Sequence, residues 1–165
     1  MKQVTFPLSV SGIERLQRSV EEYQRWLKDR SEKLLDRLAE EGYQIASAKF
    51  AQAVYDGTND VFVSTENRGA NIRAVVAVGS SVLFIEFGSG VTYGYGHPEA
   101  NQYGMGPGTY PEGKGHWDDP RGWHLPKEKG GGHTYGNPPA MPMYEARKAI
   151  EQELPRIVRE VFTGD

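Results

Sequence analysis

A run of 50 residues, from Gly88 to Asn137, constrains this chain more than any other feature. It contains 14 glycines and 5 prolines, all four histidines of the chain and two of its three tryptophans. It is poor in Val, Ile and Leu, so it cannot build a core of its own. Compact domains rarely hold structureless loops longer than about 12–15 residues unless function demands them. The remaining residues, roughly 110 of them, must supply the hydrophobic core, enough for one small domain. The excursion therefore reads as a lid, a metal site, or an arm that grips other subunits.

Composition narrows these options. Apolar residues make up 38% of the 165-residue chain and net charge is −3, with mean hydropathy −0.61 and pI about 5.8. Such a balance lacks the basic footprint of a nucleic-acid binder, and no sequence-specific nucleic-acid binding is expected. With no cysteine, disulfide frameworks and thiolate metal sites are excluded. MKQVTFPLSV carries no apolar run of signal-peptide length, and no stretch approaches the ~20 apolar residues of a membrane span. The expectation is a soluble protein made in the cytoplasm.

Periodicity outlines the rest. Residues 3–8 alternate loosely and read as a short edge strand, with Pro7 suited to an edge. Ser11 and Glu14 have the spacing of a capping box. Ile13, Leu16, Val20, Tyr23 and Leu27, then Leu34, Leu35, Leu38, Ile45, Ala46 and Phe50, recur at helical spacing. This predicts one amphipathic helix over 12–53, broken or bent near Gly42, since glycine costs roughly 1 kcal/mol inside a helix. Its apolar stripe is core or subunit interface rather than a ligand site. Segments 60–65 and 71–78 read as a hairpin turning at 66–69, with Ile72, Ala74, Val76 and Val78 on one face. Such a hairpin is marginal alone and must pack on the long helix. Residues 80–88 fit a strand or a short helix equally. Met143, Ala146, Ile150, Leu154, Ile157 and Val161 mark a C-terminal helix, begun at Pro142 and kinked at Pro155. The order gives an α+β domain spanning 1–165. A long N-terminal helix packs on a small antiparallel sheet, followed by the 88–137 excursion and a C-terminal helix.

Chemistry-bearing motifs are sparse. His97, His116, His124 and His133 lie near Glu99, Glu112, Asp118 and Asp119, but no pair has helical metal-ligand spacing. The glycines around 88–94 lack the Lys-Ser/Thr ending of a phosphate loop, and no nucleophile elbow is present. No cofactor or catalytic residue is assigned. Tyr93, Tyr95, Tyr103, Tyr110, Trp117, Trp123 and Tyr135 punctuate the excursion. Tyrosine and tryptophan anchor protein interfaces, burying a ring while keeping a polar tip wet.

Three segments in order, IEFGSG (85–90), GWHLP (122–126) and HTYGNPPAMPMYEA (133–146), resemble a family of tailed-bacteriophage virion proteins. It is the neck or tail-completion family, often labelled minor tail component. The matching residues are Glu86, Phe87, Gly88 and Gly90 at the first turn, then His133, Thr134, Gly136 and Pro142. Met143 replaces a usual phenylalanine, Asn137-Pro138-Pro139 varies the usual spacing, and the insertion from Val91 to Gly132 is longer than typical.

The resemblance implies a non-enzymatic structural subunit at the tail–head junction of a virion. Its partners would be copies of itself, six to match the tail, together with tail-tube or sheath proteins and head-connector proteins. The matched residues and Tyr95, Tyr103, Tyr110, Trp117 and Trp123 are then candidates for subunit contact, with the arm ordering against a neighbour. Glu86, beside the turn where the arm departs, would pair with an Arg or cap backbone N–H groups. Two alternatives stand beside this. One is a metal-dependent hydrolase using His97, His116 and Asp118 or Asp119. The other is a carbohydrate-binding module using the tyrosines and tryptophans of the excursion, Trp117 and Trp123 among them.

Overall fold

The computed structural model describes residues 5–53, 60–93, 96–105 and 119–164. Its elements are α1 (Val10–Gln52), β1 (Phe62–Asn67), β2 (Arg73–Val78), α2 (Val82–Phe87), β3 (Trp123–His124), β4 (His133–Thr134) and α3 (Pro142–Thr163). A long N-terminal helix, a small antiparallel sheet and a C-terminal helix make the α+β arrangement expected from the sequence.

α1 runs 43 residues, about 64 Å at 1.5 Å per residue. It begins earlier than the capping-box spacing suggests. Ser9, in extended backbone, is the cap, and its Oγ accepts the Gly12 N–H at 3.2 Å. Ser11 already lies inside the helix. Residues 5–8 form no strand, because Ser9 N–H turns back onto the Pro7 carbonyl at 2.8 Å; residues 3 and 4 lie outside the described residues.

Gly42 does not break α1. It is buried, and a Cβ there would meet Ile150 Cδ1 at 2.7 Å and Val75 Cγ2 at 3.2 Å. The glycine is thus the point where α3 and β2 both approach α1. Its helix-propensity cost is offset by closer packing of three elements.

β1 and β2 pair antiparallel with Val63 opposite Ala77 and Thr65 opposite Val75. The strands extend to Asn67, and the turn lies at 68–72, closed by Arg68 N–H to the Ile72 carbonyl at 3.1 Å. Val63, Val75 and Ala77 face the core. The face carrying Ile72 and Val78 is the outer one, with Phe62 beside it, and all three are exposed. Residues 82–87, open between strand and helix in the sequence, form the short helix α2. Asp60 secures its start, accepting Ser80 N–H at 2.6 Å and Ser81 N–H at 3.1 Å.

The core is small and alanine-rich: Ala46, Phe50, Ala53, Val63, Ile85 and Ala146, flanked by Tyr43, Val75 and Met143. Ala146, Ile157 and Val161 of α3 are buried, whereas Leu154 of the predicted stripe is exposed. α3 continues through Pro155. Glu151, whose carbonyl the proline leaves without its usual helix donor, is exposed, so water can satisfy that carbonyl. Among the described residues no helix is long and apolar enough to cross a membrane.

Candidate functional site: the junction of IEFGSG and HTYGNPP

α3 has an N-terminal problem. Its cap residue, Met141, has no side-chain acceptor and sits in the left-handed region at φ 55° and ψ 41°, a costly conformation for a non-glycine residue. A helix start leaves backbone N–H groups unsatisfied. Here the acceptor comes from 57 residues earlier in the chain. Glu86, in the last turn of α2, receives Met143 N–H on Oε2 at 2.8 Å and Tyr144 N–H on Oε1 at 2.9 Å. The carboxylate also lies at the positive end of the α3 dipole.

Glu86 is buried. Its third partner is His97, also buried, with Nε2 at 3.2 Å from Oε1. Glu99 N–H donates to His97 Nδ1 at 3.1 Å. That bond assigns the ring proton to Nε2, which therefore donates to Glu86. Three donors thus compensate a buried carboxylate, the condition under which burying such a group is tolerable. Of the two roles expected of Glu86, backbone capping is the one the fold shows, fulfilled on α3.

Rings close around the pair. Phe87 lies 4.5 Å from His97 and 5.7 Å from Tyr103, and Tyr144 meets His97 edge-on at 5.3 Å. Arg147 stacks over Tyr144 at 5.4 Å and pairs with Glu99. One turn of α3 therefore holds the outside of the latch as well as its inside.

Immediately beyond α2, Ser89 and Asn137 form an antiparallel bridge. Ser89 N–H donates to the Asn137 carbonyl at 2.9 Å, and Asn137 N–H donates back at 3.3 Å. Ser89 Oγ donates to Asn137 Oδ1, and Asn137 Nδ2 donates to the Phe84 carbonyl at 2.8 Å. Ala140 N–H then reaches the Ile85 carbonyl at 2.8 Å. The bridge admits little change: Gly136 has φ 98°, and a Cβ there would lie 2.0 Å from the Ser89 carbonyl oxygen.

The remaining signature residues form a second patch beside it. Gly88 backs onto Asn137 and Pro139, and Gly90 onto Tyr135 and the Trp123 ring. Trp123 pairs with Thr134, and His124 with His133, across β3–β4. The His124 and His133 rings meet at 5.0 Å, and His133 meets Tyr135 at 4.8 Å. Thr134 Oγ1 accepts Gly136 N–H at 3.0 Å. The structure thus brings together Glu86, Phe87, Gly88, Gly90, Tyr103, Trp123, His133, Thr134, Gly136 and Pro142. Tyr95, Tyr110, Trp117, His116 and Asp118 lie outside the described residues.

Two alternatives lose members here. Both His97 nitrogens are occupied, so this ring has no lone pair for a metal. Asp119 is bound by Arg121, with Nε at 3.1 Å and Nη2 at 3.0 Å. Among the described residues no three His, Cys, Asp or Glu side chains form a group that could hold a metal. Trp123 is half-buried against Gly90, whereas Tyr93, Tyr103 and Tyr135 are exposed.

Sequence reasoning missed His97 as the partner of Glu86, Ser89 and Asn137 as the bridge, and Asp60 as the α2 cap. Asn137 stood out only as a departure from the expected spacing. No match to this chain was found among protein-family models, curated proteins or solved structures.

Proposed function

We propose that this chain is a structural subunit of a tailed phage or phage-like particle, acting in a ring at the tail–head junction. The observation that supports this reading most is the junction itself. The two segments that resemble the neck and tail-completion family, 48 residues apart at Ser89 and Asn137, are bonded to each other. Together they fix both ends of the 88–137 excursion to the helical body. A stiff body bearing a long excursion suits a heterologous contact, in which one patch of each subunit meets a different patch on the next and rotation closes a ring.

In this reading Glu86 sets where the excursion departs, and the excursion reaches the neighbouring subunit or the adjoining tail or connector ring. The test is electron microscopy of lysates from the parent particle with this gene deleted. Filled heads beside unattached tails, or tails of irregular length, are expected. Normal, infectious particles would contradict the proposal.

A further inference from the structure

The N-terminal part of α1 presents a surface that the other described residues leave exposed. α3 reaches α1 as far as Trp26, where Phe162 packs edge-on at 5.8 Å. Residues 10–25 run on beyond that contact, about 24 Å of helix, and all but Gly12 are exposed. Their apolar residues are not scattered. Ile13, Leu16, Val20, Tyr23 and Leu27 follow steps of 3, 4, 3 and 4, the a/d pattern of a helix–helix seam. Ile13 is 59%, Val20 47% and Tyr23 60% exposed.

The stripe runs on into Leu34, Leu38 and Ile45, which are half-buried, and Ile45 packs against the core. The buried positions Ala39, Gly42, Ala46 and Phe50 lie roughly 100° around the helix from it, at 100° per residue. Toward its C-terminus α1 is covered by α3 and the hairpin; over residues 10–25 the stripe is exposed, with Tyr23 stacked on Trp26 at 5.6 Å.

Charge says what covers it. From Val10 through Asp29 there are eight charged residues, and every one falls at b, c or f when Ile13 is a. The flanking e and g positions are Gln17, Ser19, Gln24 and Trp26, none of them charged. A helix that needed only solubility would scatter its charges around the circumference. In a parallel homotypic pair, e and g face their counterparts on an identical chain, and like charges there would repel. Neutral e and g positions remove that repulsion. Ile13 and Val20 at a with Leu16 at d match the combination that favours two parallel strands, while Tyr23 at d and Leu27 at a depart from it. Covering the face on two chains removes on the order of 1,000–1,500 Å² from water, where specific interfaces begin.

We propose that residues 10–27 of α1 form a parallel, in-register seam with the same segment of a second copy of this chain. The seam rests on α1 alone and does not depend on the virion role proposed above.

The test uses the full chain. Light scattering should give at least twice the 18.4 kDa chain mass. Val20→Glu should return the monomer with its helical circular dichroism intact, because Val20 touches no core residue. Native cysteine is absent, so Ile13→Cys should yield a disulfide-linked dimer on oxidation, while Arg18→Cys, on the opposite side, should not. A monomeric wild type at high concentration would overturn the proposal. So would association that Val20→Glu leaves unchanged, or an Ile13→Cys chain that cross-links to a Leu27→Cys chain but not to itself, which is the antiparallel result.

Discussion

The Glu86 latch and the N-terminal half of α1 are opposite solutions to the same problem of unsatisfied surface. The latch buries charged and polar atoms and gives each a partner inside the chain. The helix exposes apolar side chains that, among the described residues, gain little cover beyond the stacking of Tyr23 on Trp26. A buried carboxylate with three donors is a finished structure, since removing any partner leaves an unpaired group in a low-dielectric site. A bare a/d stripe is unfinished, because its area still faces water. The contrast separates what holds this subunit together from what it offers to others.

That comparison can be broken first at Glu86. Glu86→Ala leaves two N–H groups of α3 and the His97 ring without an acceptor, and should cost about 3 kcal/mol. In a domain of this size the midpoint of thermal unfolding should drop by roughly 6–12 °C. Glu86→Gln keeps one acceptor oxygen and should cost about half as much. Equal losses for both would mean that the cavity, not the capping, matters.

Gly136→Ala should come next. Its Cβ would meet the Ser89 carbonyl oxygen at 2.0 Å, and its backbone sits where alanine is strained, so about 2 kcal/mol is expected. A neutral result in chemical denaturation would show that the bridge can open without loss. Gly42→Ala tests the other kind of glycine. The obstruction is the end of the Ile150 side chain, which can move, and alanine gains up to about 1 kcal/mol in helix propensity. The net change should therefore be smaller than at Gly136.

Asp60 sharpens the comparison through pH. Hydrogen bonds from Ser80 and Ser81 hold its carboxyl far below the ordinary aspartate value of 3.8. Its contribution is therefore complete above that value, and is lost as pH falls toward the depressed one. Acid titration of stability should show a loss below about pH 4 that shrinks in Asp60→Asn. Val20→Glu should have the smallest effect on folding, within about 0.5 kcal/mol, while it abolishes association. Equal effects on both would erase the distinction between the two regions.

The two regions were unequally legible in the sequence. Apolar residues at helical steps announced α1 and α3, because the 3.6-residue period is imposed locally. The same steps could not say which stripe is covered, since that depends on where α3 ends. Gly42 read as a break because propensity is local, while the close approach of Ile150 and Val75 is not. On β2, alternation identified two faces but not the inner one, and Val75 and Ala77 turned inward against the core. Glu86 was singled out beside its turn, yet its capping of α3 joins residues 57 apart. One chain contains no signal for such a pairing. Met141 offers a hint in retrospect: a helix that begins after Met-Pro has no cap of its own and must borrow one.

The most direct test is residue-resolved amide exchange on the full chain, wild type against Glu86→Ala. The amides of Ser89, Asn137, Ala140, Met143 and Tyr144 should exchange slowly in the wild type, and all five should quicken together in the variant while the core of α1 stays protected. Fast exchange of these five in the wild type, at the rate of the open segment 5–8, would contradict the claim that this latch anchors both ends of the excursion.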